Sequence, residues 1–253
     1  MKICSLASGS HGNSLFVESE QGRILIDAGL SAAQIRERLN SINVDPRSID
    51  GIVITHIHRD HVNGANPFSR QFNIPIYGHP DTLDELTLIF SGNKKITPWT
   101  GPFAIADFYL EPFKVSHDAI PTVGYLITNQ EKKMVICTDL GMVTPEVERY
   151  VKQAQFIILE SNHDPEMLMN GPYPWELKER ISSRLGHLSN HDTGVFLKNI
   201  LNGSIQKILL AHLSEENNSP QVARQTVLEY LGSRAETTLD VIEQRKISSV
   251  FEF

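Results

Sequence analysis

Apolar and polar residues alternate along this chain in short bursts, and the period of the alternation changes from one segment to the next. Compact apolar runs at residues 2–6, 15–18 and 24–27, separated by turn-forming Gly9, Gly12 and Gly22, predict three strands. The period then lengthens: Ser31 offers an N-cap, Ile35, Leu39 and Ile42 recur at helical spacing, and Asp45-Pro46 ends the pattern. A strand over 52–54, a helix over 64–72, a strand over 74–77 and a short helix over 82–88 follow. A strand-like stretch covers 108–115. In the later half, strand-like runs at 124–128, 133–138, 156–159 and 207–210 alternate with helical segments at 145–153, 174–184, 192–201 and 220–231. Two similar halves of this kind predict two sheets packed face to face with helices outside, although periodicity alone supports only a mixed α/β class.

The overall numbers fit a single catalytic domain spanning 1–253, since 40% hydrophobic and 21% charged residues suffice to bury a large core. No apolar leader follows Met1 and no apolar run approaches the length of a membrane span, so a cytoplasmic protein without membrane association is expected. Cys4 and Cys137 each sit in an apolar, strand-like segment and are expected to be buried thiols and not a disulfide. With 23 Lys+Arg against 30 Asp+Glu, the formal charge of −7 argues against a protein that slides freely on nucleic acid. Local charge can overrule that total. Lys178, Arg180 and Arg184 lead toward Gly186-His187, and each also reads as part of an ordinary solvated helix face.

The chemistry concentrates in Thr55-His56-Ile57-His58-Arg59-Asp60-His61, directly after the apolar Ile52-Val53-Ile54. Imidazole and carboxylate are ligands for borderline divalent cations, and four such groups clustered without a metal would be costly to desolvate. If the chain turns after Thr55, His56 and His58 point to one side while Asp60 and His61 face a second position. Two adjacent cations fit this better than one. Zn²⁺, Mn²⁺ and Fe suit such donors equally in kind, with Zn²⁺ or Mn²⁺ favoured.

This string resembles the signature of the metallo-β-lactamase superfamily, and the resemblance continues at long range. Ser116-His117-Asp118 matches the family's third histidine, Thr138-Asp139-Leu140-Gly141 its bridging aspartate, and His212 in Leu209-Leu210-Ala211-His212-Leu213 its last histidine. The resemblance implies a four-layer αββα sandwich and two divalent cations. His56, His58 and His117 would hold one, Asp60, His61 and His212 the other, and Asp139 would bridge them at roughly 3.5–4 Å. Two late motifs, Glu160-Ser161-Asn162-His163-Asp164 and Gly186-His187-Leu188-Ser189-Asn190, are similar to those of the phosphodiesterase branch, which includes the tRNA 3′-processing nucleases. By that likeness Asp60 orients the attacking water, His187 meets the scissile phosphate and leaving group, and Glu160 acts through His187. Ser189 and Asn190 would contact phosphate oxygens, although capping the helix over 192–201 is an equally good use for them.

Taken with the opening Leu6-Ala7-Ser8-Gly9-Ser10 and the run over 173–181, the chain resembles the YycJ/WalJ-type bacterial nucleases, which implies a DNA substrate degraded 5′ to 3′. No oligomeric state follows from this. Ile57 departs from the superfamily, where a polar residue is common. The other reactions open to such a site are hydrolysis of a thioester or lactam, di-iron redox chemistry, and metal binding without turnover in a regulatory module. Among the remaining histidines, His11 is expected in an exposed turn and His79 to pack or hydrogen-bond beneath the site. His163 divides evenly between a structural role and one beside the substrate.

Overall fold

Alternation within each strand decides which side of a sheet a residue faces, and here it builds four layers. The structure, a computed structural model, describes residues 1–89, 95–119, 121–232 and 238–253. In the first half, β1 (Lys2–Ala7), β2 (Ser14–Glu18) and β3 (Arg23–Ile26) lead into α1 (Ala32–Ser41) and a 3-10 turn (Pro46–Ser48). Then come β4 (Gly51–Val53), α2 (Arg59–Val62), α3 (Ala65–Phe72), β5 (Ile76–Gly78), α4 (Pro80–Ile89) and β6 (Ile96–Pro98). The second half runs β7 (Phe103–Ile105), β8 (Phe108–Lys114), β9 (Val123–Asn129), β10 (Lys132–Cys137), α5 (Pro145–Val151) and β11 (Phe156–Glu160). It ends with α6 (Pro165–Asn170), α7 (Trp175–Ser182), α8 (Asn190–Ile200), β12 (Lys207–Ala211), α9 (Pro220–Leu231), β13 (Leu239–Val241) and β14 (Phe251–Glu252).

Among the described residues these strands form two sheets of seven, ordered β14-β1-β2-β3-β4-β5-β6 and β13-β12-β11-β10-β9-β8-β7. Ile24, Ile26, Phe156, Ile158 and Leu209 point between the sheets into one buried cluster. Their neighbours Leu25, Ile157, Leu159, Ile208 and Leu210 point outward. On the first sheet the outer face is covered by Ile35 and Leu39 of α1 and Phe68 of α3; on the second, by Val147 of α5, Leu197 of α8 and Val227 of α9. The expected αββα sandwich is therefore present. Cys4 and Cys137 are free and buried, as expected. No helix among the described residues is long and apolar enough to cross a membrane.

Caps set several helix starts. Ser31 forms a capping box with Gln34, and Thr144, Asp164 and Ser219 cap helices that begin on Pro145, Pro165 and Pro220, where a missing N–H costs nothing. The sequence pattern misses α2, α6, β6, β7, β13 and β14. Each of these has six residues or fewer, too short to establish a period. The helix expected over 174–184 stops at Ser182, where the chain folds back so that His187 N donates to Ile181 O at 2.8 Å, and Gly186 packs so closely there that a Cβ would lie 2.2 Å from the carbonyl oxygens of Arg180 and Ile181. Strands β3, β4, β10, β11 and β12 all end on the same rim, where their loops meet.

Candidate metal centre

The histidine-rich string leaves β4 as a loop and turns at once into α2, with His58 at the helix N-cap position. Backbone contacts hold this segment in place. Asn13 N donates to Asp60 O at 2.7 Å, Ala28 N to His61 O at 2.8 Å, and Gly64 N to Ala28 O at 2.8 Å. A Cβ on Gly29 would lie 1.6 Å from Asp60 O, so only glycine allows this approach.

Three imidazoles converge as a result. His56 Nε2 lies 3.1 Å from His58 Nδ1, and His117 Nε2 lies 3.3 Å from the same atom. His117 reaches this point from the end of β8, its Nδ1 facing Gly186 O at 3.1 Å, which leaves Nε2 aimed at the other two rings. Beside them, His61 Nε2 is 3.3 Å from Asp139 Oδ2 and 3.6 Å from Asp60 Oδ2, and His212 Nε2 is 3.8 Å from Asp60 Oδ2. Asp139 Oδ1 lies 3.9 Å from His117 Nε2, so one carboxylate touches both groups.

Within this arrangement, Asp139 Oδ2 and His212 Nε2 are buried without a hydrogen-bond partner. Buried polar atoms are rarely left so, and both lie where donor atoms converge. Among the described residues four overlapping donor groups could hold a metal ion, His56/His58/His117, Asp60/His61/His212, His56/His61/Asp139 and Asp139/Glu160/His187/His212, and their imidazole and carboxylate atoms fit divalent metal binding. Asp139 and His212, like Asp27, also adopt left-handed backbone at φ 58°, 56° and 60°. Non-glycine residues pay for that conformation with about 1–3 kcal/mol, and such strain tends to collect at functional sites.

The charged rings are held by supports that the sequence pattern did not single out. Asp27, at the end of β3, takes His61 Nδ1 at 2.7 Å and accepts from Thr55 N and Oγ1 at 2.9 and 2.8 Å. Ser8 Oγ accepts from His212 N, Asn162 Nδ2 donates to His212 O, and Asn13 Nδ2 donates to Asp60 Oδ2. A carboxylate closing an apolar strand was the one signal for Asp27; the others depend on tertiary contacts.

Glu160, fully buried at the end of β11, meets more than one histidine. Its Oε1 lies 2.8 Å from His187 Nδ1 and 2.7 Å from His212 Nδ1, while Oε2 accepts from Leu140 N and Leu188 N. Its carboxylate thus contacts His212 as well as the expected His187. Burial by itself would raise its pKa, but His187 and His212 together hold it well below the usual carboxylate range.

Backbone pairing joins the two late motifs: His163 bridges Ser189, and Asn162 N donates to Leu188 O. Ser189 caps α8 by accepting from Asp192 N, and it also bonds Asp192 Oδ2. Asn190 is fully buried, its amide bonded to Ser161 and Asn218. The side-chain polar atoms of both residues are thereby bonded within the protein, Ser189 as the cap of α8 and Asn190 as a buried tie to Ser161 and Asn218. His163 is buried, and burial lowers its pKa to about 4. His79 lies outside the cluster, accepting from Asp81 N and standing edge-on to Trp99, and His11 is exposed near Arg245 and Glu215.

Burial and neighbouring carboxylates shift these imidazoles in opposite directions. Burial pushes His61 downward, yet Asp139, Asp27 and Asp60 outweigh it and raise its pKa to about 9; His212 is raised in the same way, while burial among other rings drives His56 well below its ordinary value. His61 raised above its unfolded value stabilises the metal-free protein below about pH 6.5, and that contribution is lost as pH climbs through about 9. Coordination must expel the same proton. Metal binding at pH 7.5 is expected to release protons and to tighten as pH rises toward 9. Calorimetric titration in two buffers of different ionisation enthalpy reads the release directly, and zero protons released would contradict the raised pKa of His61.

Residues 22–212 match the family model described as a beta-lactamase superfamily domain. The chain is 37% identical over 236 residues to exodeoxyribonuclease WalJ of Streptococcus pneumoniae, covering 91% of this chain and 88% of that protein. It is 34% identical over 230 residues to exodeoxyribonuclease YycJ of Bacillus anthracis, with 89% and 87% covered. Among solved structures, the metallo-beta-lactamase fold protein YhfI from Bacillus subtilis superposes with a TM-score of 0.73 at 16% identity, over 98% of this chain and 100% of that one. At that identity the last likeness concerns the fold alone.

Proposed function

Because this chain belongs to the beta-lactamase superfamily, we propose that its histidine and carboxylate cluster hydrolyses phosphodiester bonds of nucleic acid, with a DNA strand attacked from its 5′ end as substrate. One observation carries this reading. His187 is pinned through Nδ1 to Glu160, and its ring lines a cleft together with His212. Phosphoryl transfer gathers negative charge on non-bridging and leaving oxygens, and a fixed imidazole beside His117, His212 and Asp139 is placed to meet that charge. Hydrolysis of a thioester or lactam asks for no such group. The names of the two relatives point the same way.

His56, His58 and His117 would hold one cation and Asp60, His61 and His212 a second, with Asp139 between them; Zn²⁺ and Mn²⁺ suit these donors. Bound divalent ions supply Lewis-acid polarisation of phosphoryl oxygens and bring the pKa of water toward about 7. Asp60 accepts a hydrogen bond from the attacking water and so sets its direction. His187 donates to the leaving oxygen from the cleft wall. Glu160 keeps Nδ1 of that ring engaged, leaving Nε2 for the proton that the leaving oxygen takes.

The test is a panel of substrates offered to the metal-loaded protein: bis-p-nitrophenyl phosphate, a 5′-labelled DNA strand, a thioester and a β-lactam. The diester should be cleaved and the 5′ label released in short products from the earliest times. Turnover of the thioester or the lactam with both phosphodiesters untouched would overturn the proposal.

A further inference from the structure

Helix α7 stands apart because none of its eight residues is buried. Helices normally owe their stability to an apolar face packed on the core. The face that α7 turns inward, formed by Leu177, Arg180 and Ile181 at i, i+3 and i+4, lines a cleft instead, with Leu177 and Ile181 half-buried. The cleft measures about 190 Å³, and His187 and His212 of the cluster line it too. Tyr173, just before α7, adds an aromatic ring to the lining. Trp175 and Glu179 fall on the opposite face of the helix.

Arg180 is fixed at the rim of this cleft. Its Nε donates to Asp118 Oδ2 at 2.7 Å and its Nη2 lies 2.6 Å from the same oxygen. The other oxygen of Asp118 stands 3.4 Å from His117 Nε2 and 3.5 Å from His58 Nε2. One carboxylate therefore ties the guanidinium to the histidine cluster, while the Arg180 side chain remains 59% exposed. A half-exposed apolar wall, an aromatic ring and a tethered guanidinium beside a reacting centre match the parts of a nucleotide: a flat base and a phosphate.

We propose that this cleft seats the nucleotide next to the scissile bond in a single-stranded end, with the base against Tyr173, Leu177 and Ile181 and the adjoining phosphate on Arg180. The assignment rests on the phosphodiesterase reading above. A base enters such a cleft only after leaving its stack, so the site selects single strands and frayed ends over closed duplex. Stacking of this kind tolerates any base, because each has a π-face, and phosphate contact adds no sequence preference.

Tyr173→Ala, Tyr173→Phe and Leu177→Asp test the assignment on the full-length, metal-loaded protein. The measurement is the ratio of kcat/KM on a single-stranded oligonucleotide to kcat/KM on bis-p-nitrophenyl phosphate. The ratio should fall about tenfold in Tyr173→Ala, the loss expected of one stacked base, and should be restored by Tyr173→Phe. In Leu177→Asp it should fall at least as far, since a carboxylate in the cleft repels the strand. If both substrates lose rate in parallel, the segment has only a structural role and the cleft is not the nucleotide site. Wild-type protein that cleaves neither substrate would instead refute the phosphodiesterase reading itself.

Discussion

Replacing His187 by alanine is expected to cut phosphodiesterase kcat/KM by roughly 10²–10³ while leaving the cation content unchanged. One preorganised transition-state donor is worth about 3–4 kcal/mol, and His187, facing the cleft with Nδ1 on Glu160, would be such a donor. Steady-state kinetics on DNA together with elemental analysis checks both halves of the statement. Full activity on DNA combined with reduced stability would make His187 a structural residue of its turn. Glu160→Gln refines the test. Were Glu160 to act only through His187, its loss would be mild and nearly silent in a His187→Ala background. Because the same oxygen also holds His212 Nδ1 at 2.7 Å, Glu160→Gln should lower cation retention as well, and the double variant should fall clearly below His187→Ala alone. Equal activity of the double and single variants would show that His212 needs no such support.

Asp139→Ala and His58→Ala should each abolish turnover, the largest loss expected anywhere in the chain. Asp139 Oδ2 is buried without a partner and stands 3.3 Å from His61, and Oδ1 stands 3.9 Å from His117. Removing it takes away the carboxylate that, among the described residues, reaches both groups of histidines and leaves raised-pKa imidazoles uncompensated. His58 carries the nitrogen on which His56 and His117 converge. Wild-type protein purified with metal present should hold two divalent cations per chain by elemental analysis, and each variant should hold fewer. A stable single-cation protein with full activity, or either variant turning over at the wild-type rate, would reject the ligand assignment.

Much of this was legible from local pattern. The runs at 24–27, 156–159 and 207–210 place β3, β11 and β12 because alternation and β-branched residues are local signals, and Ser31 announces α1 through its own side chain. The spacing of His56, His58, Asp60 and His61 likewise tells that these donors cannot lie far apart. Residues separated by a whole sheet are another matter. His117, Asp139 and His212 are each an ordinary polar residue after a strand, and only a likeness to known proteins marks them in advance.

The sequence by itself determined most of the strands, several helix starts and the kind of chemistry, since periodicity, caps and ligand type act between near neighbours. Tertiary structure alone decided what supports that chemistry. Asp27 meets His61 because β3 and β4 lie side by side, Glu160 reaches His187 and His212 together because β11 lies next to β12 and the late motifs pair, and Asn190 turns inward because Ser161 and Asn218 need its amide. The physical reason is distance along the chain. These contacts span tens of residues, and no local rule of spacing registers a hydrogen bond that exists only once distant segments lie side by side in a sheet and its loops.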